Sequence, residues 1–319
     1  MLFREQDPVV GQSTGDISAQ IEQELAEIRQ NLAKIKSVVA IASGKGGCGK
    51  STLTVSLATA LALKGRKIGI LDADLNSPSV ASMLGMSRIQ IFPVTGGVEP
   101  ASGPLGLRVM ASDLLVDQAQ MPISFEQEDY TPPSTNGVEK VEVSESQALR
   151  DLCSQTRFGA LDILFIDLPT GLDHLQRLTD AVTLSGVLIV TQPSQLALKV
   201  TRHIIEWAAR TSLPMLGLIE NMAGFNCGSC HSVRPLLPQG DTVGLAREFK
   251  LPLIGRLAFD ERLADSCDRG ALFTRENPDV PLAKRIAETA QKLEDILAVR
   301  QRQAVTANAI PAAVSLPQE

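Results

Sequence analysis

The sequence predicts an α/β fold, a doubly wound, mainly parallel sheet with helices on both faces. Three observations carry that expectation. Short runs that are apolar throughout, rather than alternating, recur at Val38 to Ala42, Lys67 to Asp72, Leu107 to Ala111, Leu161 to Asp167, Val187 to Gln192, Met215 to Glu220 and Pro252 to Leu257. A strand apolar on both sides must be covered on both sides, as strands of parallel sheets are. Helical stretches separate the runs, as parallel crossovers require, and a glycine-rich loop leads from the first run straight into a helix.

Taken in chain order, residues 1 to 15 read as a disordered start. Ile17, Ile21, Leu25, Ile28, Leu32 and Ile35 then follow at steps of three and four, one amphipathic helix that packs on the domain surface or on a partner chain. Residues 1–36 therefore precede a single α/β domain over 37–300. Within it, 116–146 is rich in Pro, Ser, Glu and Asp without periodicity, and reads as a mobile insertion. A helix from Pro281 to Arg300 carries Leu282, Ile286, Leu293, Ile296 and Leu297 near helical spacing. Its mixed charges, among them Lys284, Arg285 and Glu288, favour packing on the sheet over lying on a membrane. Residues 301–319 read as a disordered tail.

The chain has 319 residues, 44% hydrophobic and 21% charged, enough to bury a large core without staples. Aromatics make up 3%, with one Trp and one Tyr, too few for a platform on which single-stranded bases stack. A net charge of -6 opposes a sequence-independent grip on phosphate backbones, so no nucleic-acid partner is expected. The apolar runs fall far short of the roughly 20 residues that span a bilayer. The first residues include an early acid and no continuous apolar stretch, so a cytoplasmic protein without membrane association is expected. Five cysteines, an odd number, then read as free thiols or soft-metal ligands.

The strongest motif runs from Gly44 to Thr52: G-x-x-x-x-G-K-S between strand and helix. Gly44, Gly46, Gly47 and Gly49 let backbone N–H groups, with those of Cys48 and Thr52, curl around phosphate oxygens. Lys50 is placed to reach the β and γ phosphates of ATP, and the Ser51 hydroxyl to coordinate Mg²⁺. Lys45 is a second cation within the same loop, a placement that favours a polyanionic ligand. Asp72 and Asp167 end apolar strands beside this loop, where an acid can hold Mg²⁺ directly or through water. Asp167 is the Walker B candidate, Asp72 supports the metal shell, and Asp74 positions or polarises the attacking water. A plain helix-capping role remains the alternative for either strand-end aspartate.

Cys227 and Cys230 form a C-x-x-C followed by His231, in the loop 225–231. Two thiolates supply half of a four-ligand set for a soft metal centre. An iron–sulfur cluster, a structural zinc, a redox pair, a c-type haem attachment and two inert thiols all remain open on spacing alone.

Together the stretches VVAIASGKGGCGKST, GILDADLNSPSV, LDILFIDLPTG, VLIVTQPSQLAL, PMLGLIENMAGFNCGSC and LPLIGRL resemble the Mrp/ApbC family of P-loop ATPases, of the deviant Walker A (SIMIBI) class, in the manner of a divergent paralogue. The resemblance covers about three quarters of the chain, 37 to about 275. It implies a homodimer closed by ATP, with Lys45 reaching the partner's nucleotide. It also implies a bridging 4Fe-4S cluster on Cys227 and Cys230 of both subunits, delivered to client apoproteins with slow ATP hydrolysis coupled to delivery. Asn221 falls where such ATPases contact adenine. Departures lie at Asn76-Ser77, at Leu168 to His174 after the Walker B acid, and around Tyr130. A positioning ATPase of the MinD/ParA type and a reductase similar to nitrogenase iron protein are the rival readings.

Overall fold

The computed structural model describes residues 14–91, 97–115, 125–126, 143–226 and 233–309. Its main sheet has eight strands: β1 (Ile35–Ala42), β2 (Ile68–Asp72), β3 (Ala101–Ser102), β4 (Arg108–Met110), β5 (Leu161–Asp167), β6 (Gly186–Thr191), β7 (Met215–Glu220) and β8 (Leu253–Arg256). They lie in the order β8-β7-β6-β1-β5-β2-β4-β3. Neighbours are parallel except β3 against β4. The helices are α1 (Thr14–Leu32), α2 (Lys50–Ala62), α3 (Val80–Met83), α4 (Glu145–Gln155), α5 (Leu172–Ala181), α6 (Gln195–Arg210), α7 (Thr242–Glu248), α8 (Glu261–Asp268), α9 (Phe273–Glu276) and α10 (Pro281–Ala309).

The central strand shows why its sequence is apolar throughout. Val39 and Ile41 enter one core with Leu53 and Leu57 of α2 and Ile286 and Leu293 of α10. Val38 and Ala40 enter another on the opposite face, with Ile28 of α1, Leu152 of α4, Leu175 of α5 and Ile205 of α6. Successive side chains of a strand point to opposite faces, so both parities must be apolar when helices cover both. Every residue of α2 from Leu53 to Ala62 is buried, because β2, β5, α3, α9 and α10 all pack against it, and α10 packs in turn on β8. No helix among the described residues is long and apolar enough to cross a membrane.

Local boundaries differ from the sequence expectation where tertiary contacts decide. Ile35, which continues the helical spacing, belongs to β1: it pairs with Leu161, and Ser37 pairs with Ile163. The last helix runs past Arg300 to Ala309, since no proline or glycine interrupts it before Pro311. α4 begins at Glu145, within the stretch read as an insertion, and Phe125–Glu126 pairs in parallel with Val143–Ser144. The rest of 116–146 lies outside the described residues, as do 1–13 and 310–319. α1 docks on α4 of the same chain, with an Asn31 side-chain hydrogen bond to the Ser154 carbonyl and a Glu24–Arg150 ion pair at 3.5 Å.

Candidate functional site

The loop after β1 sits mid-sheet, with β5 and β6 on either side of the strand it leaves. In open α/β sheets such a crevice, at the carboxyl ends of strands and at a reversal of strand order, is the usual ligand site. Gly47 and Gly49 hold φ values of 72° and 81°, a backbone that strains any residue with a Cβ. A Cβ at Gly49 would also strike the Asn221 amide nitrogen. α2 starts at Lys50, so the N–H groups of its first turn adjoin the loop.

Lys50 Nζ lies 3.1 Å from Asp167 Oδ1 and is nearly as buried as that carboxylate. Thr54, one turn along α2, donates to the same oxygen at 2.8 Å. Asp167 Oδ2 is buried with no hydrogen-bond partner. Asp72 stands in register with Asp167 on the adjacent strand but is held differently. Its Oδ1 accepts the Asp74 N–H at 3.0 Å, and its Oδ2 accepts those of Ser79 at 2.8 Å and Val80 at 3.0 Å. Burial, with the Asp167 charge alongside, pushes Asp72 up to about 7 against those three bonds.

Lys45, Lys50, Ser51, Thr52 and Asp74, with Thr170 and Met83, line one open cleft of about 540 Å³. Asp72 and Asp167 are fully buried, Asp167 bonded to Lys50 of that lining and Asp72 to the N–H of Asp74. Asp74 Oδ1 accepts the Ser77 N–H at 3.2 Å. Asn221 is buried and donates its amide to the Cys48 carbonyl at 2.9 Å, and Gln192 donates to the Gly47 carbonyl at 3.0 Å. Cys48 packs in the core beneath, its thiol raised above the ordinary range by burial. Among the described residues, no three His, Cys, Asp or Glu side chains converge as a metal cluster. A hard cation held by Ser51 Oγ, Asp167 Oδ2 and phosphate oxygens fits this donor set, because Mg²⁺ takes few protein ligands beside substrate oxygens and water. Cys227 and Cys230 lie outside the described residues.

Sequence reasoning passed over Thr54, Thr170, Gln192 and a polar cluster beside the cleft. In that cluster Glu145 accepts from Asn76 at 2.7 Å and from Arg177 at 3.2 Å, joining the segment after β2 to α5. Thr54 and Gln192 carried a usable signal, one helical turn past Lys50 and directly after an apolar strand. Glu145 carried none.

The family model described as ParA, NUBPL iron-transfer P-loop NTPase, matches residues 34–294. The chain belongs to this family. Relatives of these iron-transfer NTPases include the iron-sulfur cluster carrier protein of Methanococcus maripaludis, 34% identical over 257 residues, covering 80% of this chain and 84% of the relative. The protein of the same description from Saccharolobus solfataricus is 30% identical over 287 residues, covering 89% and 92%. A nucleotide-binding protein from Archaeoglobus fulgidus, solved in complex with ADP, is 31% identical with a TM-score of 0.66, covering 82% of this chain and 95% of that one. The cell division ATPase MinD of Pyrococcus furiosus, at 19% identity and a TM-score of 0.54 over 82% and 99%, shares the fold. The chain is thus a nucleotide-binding P-loop NTPase of the iron–sulfur carrier kind.

Proposed function

We propose that the protein is an ATP-dependent iron–sulfur cluster carrier, acting in the cytoplasm as a homodimer that hands a bridging 4Fe-4S cluster to client apoproteins. The observation that carries this reading is the contact of Asn221 with the Cys48 carbonyl. It joins the phosphate loop to the stretch of chain that runs on to Cys227, only six positions further. Nucleotide held by the loop and a cluster held beyond Asn221 therefore bear on the same short connection.

In this reading Lys50 and the loop N–H groups bind the β and γ phosphates, and Lys45 of each subunit reaches the nucleotide of the other. Mg²⁺, when bound, supplies charge neutralisation at the phosphates, held by Ser51 and Asp167 with Asp72 supporting. Asp74 orients a water and takes its proton as the water oxygen bonds to the γ phosphorus. The bond from that phosphorus to the β-phosphate oxygen then breaks, giving ADP and phosphate. Cys227 and Cys230, with the same pair of the second copy, provide four thiolates for the cargo.

Loading the protein anaerobically and mixing it with an apoprotein that needs a four-iron cluster tests the proposal. Recovery of client activity with wild type, and none with Cys227→Ala/Cys230→Ala, is expected. Equal recovery with both proteins would overturn it.

A further inference from the structure

Two amide side chains hold consecutive carbonyls of the phosphate loop from outside the cleft. Gln192 Nε2 donates to Gly47 O at 3.0 Å, and Asn221 Nδ2 donates to Cys48 O at 2.9 Å. The two amides stand at the carboxyl ends of adjacent strands, β6 and β7, which are tied by the Asn221 N–H bonding to the Thr191 carbonyl at 2.8 Å. Gln192 also touches the Met222 sulfur at 3.2 Å, so the pair forms one connected unit.

The geometry points to Gln192 and Asn221 as a clamp that positions the loop for polyphosphate. A trans peptide sets its C=O and N–H antiparallel in one plane. Fixing the Gly47 carbonyl therefore turns the Cys48 N–H away from the amides, and fixing the Cys48 carbonyl does the same for the Gly49 N–H. These are glycine-flanked peptides with left-handed φ at Gly47 and Gly49, where the backbone is otherwise free to rotate. Donors fixed before the ligand arrives bind an oxyanion without a further ordering cost. The clamp acts on phosphate through the loop backbone, in addition to the adenine contact that resemblance implies for Asn221.

The clamp rests on phosphate binding by the loop, not on the iron–sulfur reading. The test is titration calorimetry of the full chain with Mg-ADP and, separately, with inorganic pyrophosphate, which has no base. Gln192→Ala is expected to weaken both ligands by about tenfold and by the same factor, and Asn221→Ala to weaken pyrophosphate by about tenfold and Mg-ADP by at least as much, with the melting temperature measured in parallel. Weakening of ADP with pyrophosphate unchanged would mean a base contact alone and would overturn the clamp. Unchanged binding of both ligands would also overturn it. Should Asn221→Ala not fold, Gln192→Ala, at a partly exposed position, carries the test by itself. If wild type bound neither ligand, the phosphate loop would fall and the clamp with it, leaving cluster loading on Cys227 and Cys230 as a separate question.

Discussion

Lys50 and Asp167 form a buried ion pair, 3.1 Å from Nζ to Oδ1, between the first residue of α2 and the last residue of β5. It ties the phosphate loop to the strand that carries the Walker B acid. Removing one partner of a buried pair strands the other charge, which costs far more than the pair itself contributes. Lys50→Ala is therefore expected to lower folding stability by about 3–5 kcal/mol by urea denaturation, and to abolish ATP binding by calorimetry. Unchanged ATP affinity would contradict the phosphate-loop assignment.

Asp72 has a structural duty that sequence position alone does not reveal. Its carboxylate accepts the N–H of Asp74 and, at the entry to α3, those of Ser79 and Val80. Asp72→Ala is expected to cost about 2–3 kcal/mol even without Mg²⁺ or nucleotide, since those donors lose their acceptor. Unaltered stability of the nucleotide-free variant would leave only a metal role.

The same carboxyl gives a pH signature. It sits at about 7 in the fold against 3.8 for an ordinary aspartate. Between those values the folded chain keeps a proton that the unfolded chain releases, so stability falls as pH rises through that window. Measured from about pH 4 to pH 7, wild type is expected to lose on the order of 1–3 kcal/mol more than Asp72→Asn. Parallel pH profiles for the two proteins would contradict the assignment.

Ile28 of α1 is fully buried in the core that includes Leu152 of α4. Ile28→Ala is expected to lower stability by about 2–5 kcal/mol. An effect within error would mean that α1 is not part of the folded unit in solution.

Lys45 is exposed at the mouth of the cleft. Lys45→Ala is expected to retain nucleotide affinity within about threefold, because Lys50 and the loop N–H groups remain, while losing ATP-driven dimerisation by light scattering. Dimerisation equal to wild type would remove its role across the interface.

The sheet was legible because strands buried on both faces leave unbroken apolar runs, and β5, β6 and β7 could be read almost to the residue. The phosphate loop was legible because glycine spacing and a following helix encode it locally. Ile35 misled because a buried isoleucine suits the last turn of a helix and the first residue of a strand equally. β3, two residues long and antiparallel, has no length in which a period can appear. The Gln192 contact spans 145 positions and the Thr54 contact 113, so only the folded chain brings these partners together. Asp72 is the instructive case: an acid at a strand end beside a phosphate loop suggests a metal role, yet its bonds are those of a capping residue.

Iron, acid-labile sulfide and zinc per dimer, after anaerobic purification and cluster reconstitution, test the carrier reading most directly. Wild type is expected to hold about four irons and four sulfides per dimer, and Cys227→Ala/Cys230→Ala neither. Zinc alone, or no metal in either protein, would contradict the account and leave a nucleotide-dependent switch in its place.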